Sequence, residues 1–261
     1  MNLLFSPVDK NCNFFPEGGH SWQDRGLRNF YYFWSTLQAL HMGVAENLAL
    51  LRQEIPSQVQ IVAVSKTMPV PAVQEAYAAG QRDFGENRVQ ELLDKESQLP
   101  SDIRWHLIGH LQTNKVRVVV PFVHLIHSVD SLKLLETIDA EAARIDRRID
   151  CLLQLRIARE ETKFGMTLAD AEELLGSSTW SLKHIRIRGL MGMATFTDDS
   201  ALVSAEFCLL KDYFDRFKDR WFADDNTFSL LSMGMSGDYP LAIEAGANMV
   251  RIGSLIFGSR R

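Results

Sequence analysis

A single lysine closes the run Ile61–Val62–Ala63–Val64–Ser65–Lys66, and Thr67–Met68–Pro69 breaks the chain directly after it. β-Branched residues with almost nothing polar among them read as a strand buried on both faces. The proline stops that strand, so Lys66 stands at its C-terminal end. A lysine so placed either carries its ammonium out to water along its alkyl stem or is a desolvated amine able to attack a carbonyl and form a Schiff base. A second set of residues lies near the far end of the chain. In "LLSMGMSGDYP", Ser232, Gly234 and Ser236 alternate along one strand face, and "RIGSLIFG" offers Gly253 and Ser254. Glycines that let a ligand approach the backbone, beside short hydroxyls, suit a phosphate held without a lysine cluster. Each of them taken alone also serves a tight turn. Arg251 shares a strand face with Gly253, and an inward Arg251 demands a ligand or a carboxylate partner.

The remaining candidates carry less. His106 and His110 are four apart, which on a helix would align two imidazoles. In a strand that spacing spans about 13 Å, too far for one metal ion. His124 and His127 point to opposite faces of their strand and read as structural or surface groups. The glutamates of "REETKFG" and the aspartates of "TDD" read as solvated loop charges.

Something must hold the lysine and the anion-binding residues at one place, and the pattern of elements supplies it. Val44, Leu48 and Leu51 make a helical stripe that Pro56 ends. From Ile61 onward strands and helices alternate. The strands are "IVAVSK", "RDFGEN", "IRWHLIGH", "VHLIHSVD", "CLLQLRIA", "IRIRGLMGMA", "TFSLLSMGMS" and "NMVRIGSLIFG". Helices are predicted over "PAVQEAYAAG", 88–98, "TNKVRVVVPF", "TLADAEELLG", 199–221 and "YPLAIEAGA". A further one carries the stripe Leu132, Leu135, Ile138, Ala142, Ile145 and Ile149 behind Asp130 or Ser131 as N-cap. Eight strands separated by helices in about 200 residues predict a closed (β/α)8 TIM barrel, with an open doubly wound sheet as the alternative. In such a barrel the chemistry sits at the C-terminal ends of the strands. That selects Lys66 after strand one, Asn87 after strand two and the ends of strands seven and eight, which commonly form a phosphate site.

Composition limits the partners. A net charge of −5 with mixed signs shows no clustered basic surface for nucleic acid or an anionic membrane, and no apolar run approaches the ~20 residues of a membrane helix. Cys12, Cys151 and Cys208 are odd in number and widely spaced, which suits a reducing cytoplasm and indicates neither a disulfide framework nor a zinc site. The aromatic first 41 residues have neither helical periodicity nor a signal-peptide pattern. They are expected to lie outside the barrel, with residues 42–261 as one domain and Met42 as the natural start.

The motifs "VAVSKT", "DFGENRVQE", "WHLIGHLQTNK", "ETKFGM", "RGLMGMAT", "LSMGMSGD" and "VRIGSLIFG" occur in order. Over roughly residues 43–260 the chain resembles the YggS/PROSC-type pyridoxal phosphate homeostasis proteins, related in fold to the barrel domain of alanine racemase. The resemblance implies pyridoxal 5′-phosphate (PLP) as cofactor, held as a Schiff base on Lys66. Asn87 would line the pocket beside it, Arg251 would face the pyridine nitrogen, and Ser232, Gly253 and Ser254 would hold the phosphate. It further implies a cytoplasmic monomer that buffers PLP or delivers it to PLP-dependent apo-enzymes, without catalytic turnover. Ser254 stands where the family usually has Thr, and Met68 where it often has Lys. Two enzymatic alternatives remain, an amino-acid racemase and a class I aldolase-type barrel. An arginine opposite the ring nitrogen makes the cofactor a weaker electron sink, and racemisation needs a second acid–base group on the face opposite Lys66. In alanine racemase a tyrosine from another domain supplies that group, and no such domain is expected here. Tyr77, Tyr213 and Tyr239 fall in predicted helices or their leading turns.

Overall fold

Eight parallel strands close into a barrel in strict chain order, β1 pairing with both β2 and β8, in a computed structural model that describes residues 43–158, 165–177 and 181–258. The order of elements is α1 (Val44–Glu54), β1 (Gln60–Val64), α2 (Val70–Ala78), β2 (Asp83–Glu86), α3 (Val89–Glu96) and β3 (Arg104–Leu107). A short 3₁₀ turn (Thr113–Lys115) and α4 (Val116–Val119) lead to β4 (Leu125–Val129), α5 (Leu132–Ala143), β5 (Ile149–Gln154) and α6 (Leu168–Gly176). The chain continues through β6 (Ile185–Met191), α7 (Ser200–Trp221), β7 (Leu230–Met235), α8 (Tyr239–Glu244), β8 (Met249–Ile252) and α9 (Ser254–Phe257). The TIM barrel expected from the alternation is the observed fold. The expectations for residues 1–41, for Met42 and for the glutamates of "REETKFG" fall outside the described residues.

Three boundaries differ from the sequence reading. The stripe through Ile145 and Ile149 is not one helix: α5 ends at Ala143, Asp146 takes a left-handed φ of 51°, and Ile149 opens β5. The last strand stops at Ile252, and Ser254–Phe257 coils into a helical turn. Strand three stops at Leu107, which puts His110 in the following loop, where it meets Asp130 at 3.2 Å.

Strand alternation sorts the side chains. Val62, Leu125, Leu152, Met191 and Met249 meet inside the barrel, while residues of opposite parity pack beneath the helices in the larger core. On β6 one extra residue intervenes, since Cys151 pairs with Ile187 but Leu152 with Gly189. Only glycine fits there: φ is +153°, and a Cβ would lie 1.8 Å from the Leu230 carbonyl oxygen. The N-terminal rim is sealed by ion pairs. Arg104 holds Asp83 at 2.6 Å, and Arg186 and Arg188 hold Asp150 at 2.7 and 2.6 Å. At the opposite rim the loop after β6 is pinned by buried Glu206 of α7, which accepts the Thr195 amide and hydroxyl at 2.6 and 2.7 Å. Among the described residues no helix is long and apolar enough to cross a membrane.

Candidate functional site

Lys66 is half-buried, two residues beyond the end of β1, in a turn closed by the Met68 amide donating to the Ser65 carbonyl at 3.0 Å. The turn is strained. Thr67 adopts φ +65°, a region a β-branched residue occupies at a cost of about 1–3 kcal/mol. Thr67→Gly is therefore expected to unfold at equal or higher urea concentration than wild type, by up to about 1 kcal/mol. A clear loss of stability would show the turn to be unstrained.

The strain is held by a network behind the sheet that sequence reading missed. Ser65 and Glu86 point away from the lumen toward α3. Lys95 reaches in from that helix to donate to the Ser65 carbonyl at 2.6 Å, Glu86 Oε1 at 2.7 Å and Glu91 Oε1 at 2.8 Å. Ser65 Oγ donates to the same Glu86 oxygen at 2.7 Å, and the Thr67 amide donates to Glu91 Oε1. The residues on either side of Lys66 are thus fixed through their backbone. Glu86 is 0% exposed and its Oε2 has no hydrogen-bond partner among the described residues. Burial raises its pKa, against the lowering by the Lys95 and Ser65 hydrogen bonds. The visible signal was an acid in a buried strand followed by a Glu91–Lys95 pair at helical spacing.

Register brings the other candidates to Lys66. Val64 pairs with Gly85, so Asn87 lies alongside Lys66 two residues further on. Asn87 is half-buried and its side-chain amide makes no hydrogen bond among the described residues. Gly109 allows this placement, because a Cβ there would sit 2.3 Å from the Asn87 carbonyl oxygen. On the other side Val62 pairs with Arg251, and Gly253 packs against Val64. The Gly253 amide donates to Ser236 Oγ at 3.2 Å, which joins the ends of β7 and β8. Among the described residues the amides of Ser236, Gly237, Ser254 and Leu255 form no hydrogen bond within the protein. With the two serine hydroxyls they make a donor set suited to a phosphate.

Arg251 lies below this set, 4% exposed, donating from Nη1 to Ser232 Oγ at 2.8 Å and from Nη2 to the Gly192 carbonyl at 3.0 Å. Burial pulls its pKa down to about 10, partly offset by Asp238, so it remains a cation at neutral pH. The inward arginine was expected from sequence. Its direct partners, however, are a hydroxyl and a carbonyl, and it forms no ion pair among the described residues. Ser232 is placed differently from the sequence reading. It is 0% exposed, and its hydroxyl lies between Arg251 and His127 in the lumen, while Ser236 Oγ lies beside the Gly253 amide. Asp83, His106 and His124 bring ligand atoms within 4.8 Å of one another, but Arg104 occupies both Asp83 oxygens, and a guanidinium there opposes a metal ion.

The family model described as "Alanine racemase, N-terminal domain" matches residues 42–261. The pyridoxal phosphate homeostasis protein of Helicobacter pylori is 40% identical over 201 residues, covering 76% of this chain and 87% of that protein. Its namesake from Synechocystis is 38% identical over 208 residues, covering 79% and 94%. Solved structures of PipY from Synechococcus elongatus, without and with PLP bound, are 40% identical and superpose with TM-scores of 0.78 and 0.76, covering 82% of this chain and 100% of theirs. An alanine racemase of Clostridium difficile shares only the fold, at 13% identity and a TM-score of 0.66 over 84% of this chain and 57% of that one. A closed barrel with a lysine after β1 and anion donors at the ends of β7 and β8, matched along nearly the whole described chain, places this protein in the pyridoxal phosphate homeostasis family.

Proposed function

We propose that the protein binds PLP at the C-terminal mouth of its barrel and serves the intracellular homeostasis of that cofactor by buffering or delivering it. The observation that carries this reading is the convergence of Lys66, Asn87, Arg251 and the Ser236–Gly253–Ser254 donor set on the adjacent ends of β2, β1, β8 and β7. The PLP-bound PipY structure and the names of the relatives support it. PLP supplies an aldehyde for covalent attachment to an amine and a ring that withdraws electrons. The protein's residues divide the remaining work. Lys66 provides the amine, Ser236, Gly253 and Ser254 provide phosphate donors, and Asn87 lines the ring. Arg251 donates toward the ring nitrogen, with Ser232 orienting its guanidinium. Residues 42–261 suffice for this role, as a monomer in the cytoplasm, with PLP-dependent apo-enzymes as recipients.

Turnover is not expected, because the tyrosines among the described residues that could supply a second acid–base group are engaged elsewhere. Tyr77 donates to Asp102 at 2.7 Å and Tyr239 to Glu54 at 2.5 Å, while Tyr213 lies in the helical layer on α7. Each missing acid–base group costs about 10²–10⁴-fold in rate. Protein mixed with PLP and desalted should keep a visible absorbance that borohydride bleaches, and chiral analysis of L-alanine incubated with it should find at most trace D-alanine. Colourless protein after desalting overturns the binding reading. Conversion of alanine at ordinary enzyme rates replaces it with the racemase.

A further inference from the structure

A line of buried polar groups crosses the barrel interior from β2 to β8, and cofactor attachment makes no use of most of it. Asp83 Oδ1 is 3.0 Å from His106 Nε2. His106 Nδ1 is 2.9 Å from His127 Nε2, and His127 Nδ1 is 3.1 Å from Ser232 Oγ. Ser232 Oγ in turn accepts from Arg251 at 2.8 Å. Asp83, His106, His127, Ser232 and Arg251 are all buried, on five different strands. At the outer end, Arg104 holds Asp83 through Oδ1 at 2.7 Å and Oδ2 at 2.6 Å.

With both imidazoles neutral, the two ends fix the direction of every link. A guanidinium only donates and an ionised carboxylate only accepts. Asp83 is ionised, because the Arg104 and His106 hydrogen bonds outweigh its burial and hold its carboxyl well below the usual range. His106 therefore donates from Nε2, which leaves Nδ1 of the neutral ring to accept. His127 must then donate from Nε2 and accept at Nδ1, and the Ser232 hydroxyl must donate to it while accepting from Arg251. All four links point from Arg251 toward Asp83. Hydrogen bonds aligned head to tail polarise one another in a low-dielectric interior. A proton added to His127 would put a donor against the donating Ser232 hydroxyl. Burial, together with the positive charge of Arg251, disfavours that proton.

We propose that Asp83, His106, His127 and Ser232 are positioning residues that extend the negative charge of Asp83 across the lumen to the Arg251 guanidinium and so fix its orientation beneath the ring of the bound cofactor. This rests on the reading that PLP occupies the mouth above Arg251.

Two measurements test it. In unliganded wild type, long-range ¹H–¹⁵N spectra should show both rings as Nε2–H tautomers, with His127 staying neutral between about pH 6 and 8. An Nδ1–H tautomer at His127, or protonation within that range, overturns the inference whether or not PLP binds. The second arm uses Asp83→Asn, which keeps an oxygen for His106 and removes the charge together with the Oδ2 acceptor of Arg104 Nη2. Its PLP affinity should fall roughly tenfold, and the pH dependence of its visible band should shift. Ser232→Ala, which cuts the line beside Arg251, should give the same two effects. A purely structural role predicts lower thermal stability in both variants with wild-type affinity and an unmoved spectrum, and that result also overturns the inference. Failure of wild type itself to retain PLP overturns the binding reading, and the positioning role with it, while the tautomers still report whether the line exists.

Discussion

Replacing Lys66 by alanine should abolish covalent retention of PLP while the protein stays folded. The turn that carries Lys66 is held by the Ser65 carbonyl, bound to Lys95, and by the Thr67 amide, bound to Glu91. Both are backbone groups of the neighbouring residues, so truncating the Lys66 side chain leaves them intact, and stability should change by no more than about 1 kcal/mol. Noncovalent binding should persist through the proposed donors Ser236, Gly253, Ser254 and Arg251, so the variant should lose its visible colour more completely than its affinity. Reducing loaded wild type with borohydride, digesting it and finding the pyridoxyl label by mass spectrometry gives a direct check. A label on Lys115, Lys163 or any lysine other than Lys66 would falsify the assignment.

Lys95→Met should be the most destabilising single change near the site, by about 3–5 kcal/mol, because it leaves a buried carboxylate without its cation. Glu86 already carries one oxygen without a partner, and the substitution removes the charge that compensates the other. It also frees the Ser65 carbonyl and weakens the hold on strained Thr67. The pH dependence has a definite sign. A carboxyl whose folded pKa is raised binds more protons in the native state, so stability falls as pH rises from its unfolded pKa to its folded one. Losing Lys95 widens that window. Urea unfolding should therefore show a smaller gap between variant and wild type at about pH 5 than at pH 7.5. Adding Glu86→Gln to Lys95→Met should recover part of the loss. A gap that does not change with pH would show that Glu86 is not the source of the cost.

What was legible in the sequence was what repeats locally. Apolar runs bounded by glycine and proline marked the strands, and three- and four-residue spacing marked most helices, so the barrel and the end of β1 followed. Ile145 and Ile149 misled because their spacing prolongs the α5 stripe, and nothing in the pattern announces the left-handed Asp146 that ends it. Alternation with Gly253 makes Arg251 inward and asks for a ligand or a carboxylate beside it. The carboxylate does exist, four hydrogen bonds away at Asp83, a relation across the lumen that no local spacing encodes. Spacing sets His106 beside His110 and His127 beside His124, so the contact between His106 and His127 is hidden for the same reason. Ser232 and Ser236 look alike in sequence. Only the pairing of β7 with β8, and its approach to β4 across the lumen, separates a hydroxyl facing His127 from one facing Gly253.

The ion pairs of Asp83 with Arg104 and of Asp150 with Arg186 and Arg188 give the barrel a floor. Above it the lumen is filled by Val62, Leu125, Leu152, Met191 and Met249, so no passage runs through to the other side. Among the described residues, a small molecule seated over Arg251 would leave by the mouth bounded by Lys66, Asn87, Ser236 and Ser254. On the proposed reading, loading and unloading would share that mouth and exclude each other in time. A protein that takes the cofactor directly must present its own vacant site to this rim, and while it is docked there no second molecule can enter from solvent.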